Sequence, residues 1–373
     1  MKKYDVIIVG AGVIGSAAAY NLAKKNLDVL VLEKEEIGIG GSSRNGGGVR
    51  QSARKAEELP LAIYAVNNIW PNLEKDLGVN IEYHQEGNLR LGKTEAHRQI
   101  LADIVAQGQA QGLELELIKR DEIKKICPYI SDEVQYASYC PTDGHANPMK
   151  TTLAYYKKAL ELGVKFITGE EVTSVLIKEG KIAGVKTKTD SYSSQKVILA
   201  AGYESKFIAD SLGIEIPMRK LLVEVLVTEP RELMFDQMIG TAGSDFYGHQ
   251  SEHGSFVFGG MTGNEPYQFD QKRRVTLKRT APSISRAILN YFPLLKDLNV
   301  IRTWSGFLDQ TPDHLPIISR VEEIDNFYLA CGFSGHGFGI APAVGELIAD
   351  LAAEEDPALN LSSFKYDRFH PKS

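Results

Sequence analysis

The chain has 373 residues, more than twice the roughly 150 of an average domain, so two domains are expected. It is 43% hydrophobic and 24% charged, which excludes a disordered or fibrous protein. With 48 acidic against 42 basic residues the net charge is -6, which disfavours nucleic acid as the main partner. Three scattered cysteines, Cys127, Cys140 and Cys331, make neither a disulfide framework nor a metal or redox pair, and suit a reducing compartment. The apolar run Val6–Val9 stops at Gly10 without a signal-peptide cleavage site, and no stretch approaches the ~18 apolar residues of a membrane span. The expectation is a soluble, cytoplasmic protein with no transmembrane segment.

Tyr4 to Val9 (YDVIIV) reads as a buried parallel strand, followed by a glycine turn, a helix ending near Asn26, and a second strand from Asp28 to Leu32. Residues 37–48 (IGIGGSSRNGGG) are too rich in glycine for a regular element and read as a loop held close to a ligand. An amphipathic helix is predicted over about 55–78, a mixed region with strand NLRLG and helix Glu95–Gln111 over about 80–145, and a helix over Met149–Leu162. Val172–Ile177 and Ile182–Thr187 flank a Glu179-Gly180 turn, and Lys196–Gly202 (KVILAAG) is a further buried strand. From about 216 to 310 the pattern alternates as strands do, with a helical interruption near 270–292. A strand at Asn326–Ala330, a glycine-rich turn at Gly332–Gly339 and a helix from Pro342 to Ala353 close the α/β pattern. Nucleotide-type glycine segments at both ends imply one discontinuous domain with another inserted.

Gly10-Ala11-Gly12-Val13-Ile14-Gly15 sits directly after a strand, opens a helix, and precedes an acidic residue, Glu33, at the end of the second strand. Gly10 permits the tight turn, Gly12 lets backbone approach a pyrophosphate, and Gly15 lets helix pack on strand. The helix start offers unpaired N–H groups and the positive end of its dipole to phosphates. Glu33 can accept from both ribose hydroxyls, which argues against the 2′-phosphate of NADP and leaves FAD and NAD.

The segments YDVIIVGAGVIG…VLVLEK, GSSRNGGGVRQ (41–51), KVILAAG (196–202), TWSGFLDQTPDHLPII (303–318) and GFSGHGFGIAPAVGE (332–346) resemble, in this order, the D-amino-acid-oxidase-like family of FAD-dependent oxidoreductases. Within it the chain looks most like β subunits of heteromeric proline, sarcosine, opine and hydroxyproline dehydrogenases or oxidases. The resemblance implies an FAD-binding, Rossmann-like three-layer ββα domain (1–80, 146–215 and 319–373). A substrate domain on a large mixed sheet (81–145 and 216–318) would be inserted into it. Non-covalent FAD would contact Gly10, Gly12, Val13, Ile14, Gly15, Glu33 and Lys34, then Ser42, Ser43, Arg44, Gly47 and Gly48 of the loop. It would go on to Val172, Ala201, Gly202, Gly335, His336, Gly337, Phe338 and Gly339.

Family members move a hydride from the carbon beside an amine to flavin N5, leaving an imine that water hydrolyses. A forked arginine suits the substrate carboxylate, and the resemblance assigns this to Arg50. Arg44 falls to the loop near the flavin. His336 is brought to the flavin ring, where it can donate to substrate or flavin oxygens, and Tyr247 matches a pocket tyrosine. His145 and His249 read as structural. Several family features are missing. Gly306 stands where a cysteine attaches flavin, Gly306-Phe307-Leu308-Asp309 replaces an arginine-bearing clamp, and Gly339 replaces a substrate-clamping lysine. Gly254 to Gly263 lacks the oxygen-activating lysine, and Pro148 stands where some members attach FMN to histidine. These departures favour a dehydrogenase that passes electrons to an α subunit or another accepting protein in a hetero-oligomer, and leave open an FMN at a subunit interface. Two alternatives remain: a stand-alone glycine, D-amino-acid or sarcosine oxidase producing peroxide, and a flavin-binding assembly or relay protein without turnover.

Overall fold

The computed structural model describes residues 3–260 and 276–369. The N-terminal run divides at Asp5 instead of forming one strand. Lys3–Tyr4 pairs with Ser193 and Ser194, whereas Val6–Val9 pairs with Val29–Leu32 on one side and Val197–Leu199 on the other. Asp5 marks this change of sheet: its carboxylate accepts the Asp28 N–H at 2.8 Å and its own N–H donates to the Asp28 carbonyl at 2.9 Å.

The central sheet has six strands in the order Ile317–Arg320, Phe327–Cys331, Val197–Leu199, Val6–Val9, Val29–Leu32, Lys165–Ile167. All pairings are parallel except the first. Side chains alternate between two cores. Ile8, Val31 and Ile198 pack with Ala17, Ala154 and Ile348 of the helices Val13–Lys24, Pro148–Glu161 and Gly337–Ala352. Ile7, Leu30 and Leu199 face Val175 and Val185 of a four-stranded sheet. That second sheet holds the hairpin Val172–Lys178/Lys181–Thr187, whose turn residues Glu179 and Gly180 both have positive φ. The result is the three-layer ββα arrangement that the family resemblance implies.

An eight-stranded mixed sheet draws on residues 88–140 and 219–310. Its long strands Arg219–Pro230 and Val300–Gln310 run antiparallel, and its core is aromatic, with Phe246, Phe256 and Phe258 under Ile284 and Ile288 of the helix Thr280–Tyr291. The first part of the helix expected near 270–292 lies outside the described residues, as do Met261 to Gly263 of the lysine-free stretch.

Two helices depart from the sequence reading. The one expected over 55–78 starts at Leu59 and carries a π segment at Ala65–Ile69 before continuing to Leu77. Pro71 lacks the N–H that would close an α turn there, so the helix widens just before it. The C-terminal helix begins at Gly337, five residues before Pro342, which lies inside it. Sequence reasoning places proline in a first turn; here the helix tolerates it inside, and the Gly339 carbonyl receives the Trp70 indole N–H at 2.7 Å.

Gly345 marks the crossing of the Val13–Lys24 and Gly337–Ala352 helices: a Cβ on it would come within 2.4 Å of the Ala17 Cβ. Gly345→Ala should therefore cost about 1–3 kcal/mol of stability, read as a lowered urea midpoint. An unchanged midpoint would contradict this tight crossing.

Candidate active site

A cavity of about 880 Å³ opens at the carboxyl ends of the parallel strands, where the first βα turn, the loop after Gly38, Ala200–Gly202 and the turn before Gly337 converge. Gly10, Gly12, Val13, Ile14, Glu33, Lys34, Ser42, Arg44, Val172, Ala201, Gly202, Gly335, Gly337 and Phe338 line it. Gly15, Ser43, Gly47, Gly48, His336 and Gly339 do not. Gly15 serves packing, since a Cβ there would sit 2.0 Å from the Gly10 carbonyl oxygen.

Ser42 ties the glycine loop to the helix start: its hydroxyl accepts the Val13 N–H at 2.8 Å. Glu33 is held by the Ala11 N–H at 2.8 Å and the Glu35 N–H at 3.0 Å, one on each carboxylate oxygen. Arg44 fastens the loop to the other sheet, donating to the carbonyls of Ile39 at 2.9 Å and Ser305 at 3.1 Å. Gly306, where a flavin-attaching cysteine would stand, packs on the Arg44 side chain. Pro148 occupies the first turn of a helix capped by Asn147. Asp309 lines the cavity and accepts the Gly332 N–H at 2.8 Å. Burial pushes its carboxyl up to about 6 against the pull of the backbone N–H groups of Gly332, Phe333 and Ser334.

Arg50, Tyr247 and His336 gather beside this cavity. The Tyr247 ring packs on Gly46 and Gly259, and the Arg50 backbone lies against Gly339. Burial raises the Tyr247 phenol, with the Gly46 N–H and the Arg50 charge opposing. Tyr247 is nonetheless 37% exposed, its ring wedged between glycines while one side stays open to solvent. Arg50 donates to the carbonyls of Ser52 at 2.7 Å and Ala53 at 3.2 Å, and among the described residues no carboxylate forms an ion pair with it. Burial, with the neighbouring cations Arg54 and Arg90, brings its guanidinium down to about 9, while Asp143 and Glu58 oppose the fall.

Four residues that sequence reasoning missed hold this group. Asp143, fully buried, accepts the N–H groups of Gln51 at 2.6 Å and Ser52, and the Ser52 hydroxyl and Asn88 amide complete its shell. Arg54 donates through Nε to the Arg50 carbonyl at 2.8 Å and through Nη1 to Glu58 at 2.8 Å. Glu58, 0% exposed, also meets His336 Nδ1 at 2.9 Å. Burial would raise the Glu58 carboxyl, but Arg54 and His336 bring it to about 2. Arg90 is anchored on the Thr241 carbonyl at 3.1 Å. The space beside Gly339 is taken by the Arg54 guanidinium, 3.1 Å from where a Cβ would be. His145 and His249 stack at 3.9 Å, both buried, and burial lowers both imidazoles, His249 to about 4.

Residues 5–351 match the family model described as FAD dependent oxidoreductase, the DAO family. The chain belongs to this family. It is 32% identical to the sarcosine oxidase β chain of Arthrobacter sp over a 378-residue alignment covering 99% of this chain and 91% of that protein. It is 26% identical to an opine oxidase subunit of Rhizobium meliloti, covering 94% and 96%. Among solved structures, the L-proline dehydrogenase from P. horikoshii superposes with a TM-score of 0.91 at 30% identity, covering 99% of this chain and 98% of that one. The protein is an FAD-dependent oxidoreductase. No helix among the described residues is long and apolar enough to cross a membrane.

The cavity fits FAD: its polar backbone floor and the acidic Glu33 at one end match the needs of a dinucleotide, and a Cβ on Gly12 would come 2.8 Å from the Ser42 hydroxyl. Gly12→Ala should push the loop from the helix start and weaken FAD binding on the order of tenfold, measured as flavin per protein after dialysis. Full flavin occupancy with an unchanged dissociation constant would contradict the assignment of this turn.

Proposed function

We propose that this oxidoreductase oxidises the C–N bond of a secondary or cyclic amino acid, of the proline, hydroxyproline, sarcosine or opine type, as the catalytic β-type subunit of a heteromeric dehydrogenase. The observation that carries this reading is Arg50. It is a half-buried guanidinium beside the flavin cavity, grouped with Arg54 and Arg90, and among the described residues the carboxylates acting on it are already committed: Glu58 to Arg54 and His336, Asp143 to backbone N–H groups. A site with cation in excess suits a carboxylate ligand. The named activities of the relatives support the substrate class, and the names of the sarcosine and opine oxidase subunits support a partner chain.

In this reading Gly10, Gly12, Val13 and Ile14 hold the pyrophosphate, Glu33 the ribose, and Gly335, Gly337 and Phe338 border the flavin ring. FAD, when bound, supplies the hydride acceptor. Arg50 fixes the substrate carboxylate, Tyr247 closes the pocket over Gly46, and His336 faces the amine side. The inserted-domain division also belongs to this reading, with 1–80, 146–215 and 319–373 holding FAD.

The test is anaerobic bleaching of the flavin with proline, hydroxyproline, sarcosine and an opine, followed by air. Bleaching with slow return supports a dehydrogenase that needs an acceptor. Rapid return with peroxide would make the chain a stand-alone oxidase, and no bleaching with any of them would overturn the substrate class. Arg50→Lys should keep the flavin while raising KM about tenfold or more, because an ammonium cannot reproduce the two-pronged contact.

A further inference from the structure

His336 bonds through Nδ1 to Glu58 at 2.9 Å, and Glu58 already carries the Arg54 pair at 2.8 Å on its other oxygen. An ionised carboxylate only accepts, so Nδ1 must carry the hydrogen. In a neutral imidazole this leaves Nε2 a bare acceptor, which reverses the donor role suggested by sequence. The side chain is 25% exposed, so Nε2 is not sealed, and it has no hydrogen-bond partner among the described residues. The Arg54 guanidinium also donates to the His336 carbonyl at 3.3 Å, fixing the residue's backbone. The charged groups acting on the ring are Glu58, Arg54 and Arg50: burial lowers its pKa, Glu58 opposes, and the two arginines lower it further.

We infer that His336 is the base that takes the proton from the substrate's ammonium, and that Glu58 is the residue that positions it. This rests on the amino-acid reading above. At neutral pH an amino acid carries an ammonium, whose nitrogen has no lone pair to support hydride loss from the adjacent carbon. In the step, an N–H bond of the ammonium breaks and its electron pair stays on nitrogen. The proton forms a bond to Nε2, and the imidazolium charge faces the Glu58 carboxylate. The proton then leaves to solvent from the open side of the ring, and the neutral amine is the species oxidised.

The experiment is anaerobic flavin reduction in the holoenzyme as a function of pH, with whichever amino acid of the panel bleaches the wild type. His336→Gln should slow reduction by about tenfold or more near pH 7. The deficit should shrink toward parity near pH 10, where the free amine is already abundant. Glu58→Gln should show the same pH-dependent deficit in smaller size, and Glu58→Asp should recover part of it. A His336→Gln deficit that is constant with pH, or absent, would overturn the inference while leaving the substrate reading intact. Failure of every amino acid to bleach the wild type would overturn both. Independently of turnover, ¹⁵N-histidine spectra of the holoenzyme, assigned by the signal lost in His336→Gln, should show hydrogen on Nδ1 and none on Nε2 at neutral pH. The opposite tautomer would also overturn it, and this readout does not depend on the Glu58 variants folding.

Discussion

The site depends on one buried carboxylate. Glu58 meets Arg54 and His336 with its two oxygens and so joins the segment following the glycine loop to the turn that opens the last helix. These elements lie far apart in sequence, and both the glycine loop and the turn before Gly337 line the cavity. A fully buried charge is costly unless paired and hydrogen-bonded, and removing one partner of such a pair typically costs about 3–5 kcal/mol. The two segments cannot separate without exposing that cost. Arg54 extends the tie to the Arg50 carbonyl, so the backbone bearing the carboxylate-binding candidate is set by the same interaction that orients His336.

Balance of charge follows from it. Glu58 is consumed by Arg54 and His336, and Asp143 by the backbone of residues 51 and 52, which leaves Arg50 and Arg90 without an ion-paired carboxylate among the described residues. Burial alone lowers the Arg50 guanidinium, and its cationic neighbours lower it further, so the site holds unfavourable electrostatics that a bound carboxylate relieves. Any ligand that does so stabilises the fold in proportion to its occupancy. Burial also lowers the imidazoles of the stacked His145 and His249.

Much of the architecture was legible because parallel strands and glycine turns leave strong local marks. The run Val6–Val9, the turn from Gly10 to Gly15 and Glu33 defined a dinucleotide unit, and Val9, Gly10, Gly12, Val13, Ile14 and Glu33 of it line one cavity. Asp5 was not legible as a boundary between two sheets, since one polar residue in an apolar run looks like ordinary alternation. Pro342 suggested a helix start, while the structure places it inside the helix Gly337–Ala352. Glu58 and Arg54 were missed for a shared reason. In ARKAEELP a buried ion pair has the composition of a solvated helix face, and only tertiary packing distinguishes the two. Arg90 was missed because a charge within NLRLG reads as the outward position of an edge strand, whereas that strand lies inside the eight-stranded sheet.

The most direct measurement is a crystal structure of the flavin-loaded protein with a cyclic, non-oxidisable carboxylate such as pyrrole-2-carboxylate. Its carboxylate is expected on the Arg50 guanidinium, its ring between Tyr247 and the flavin, and its nitrogen toward His336 Nε2, with Glu58 still joined to both partners. A carboxylate bound away from Arg50, or a Glu58 released from His336 in the complex, would contradict this.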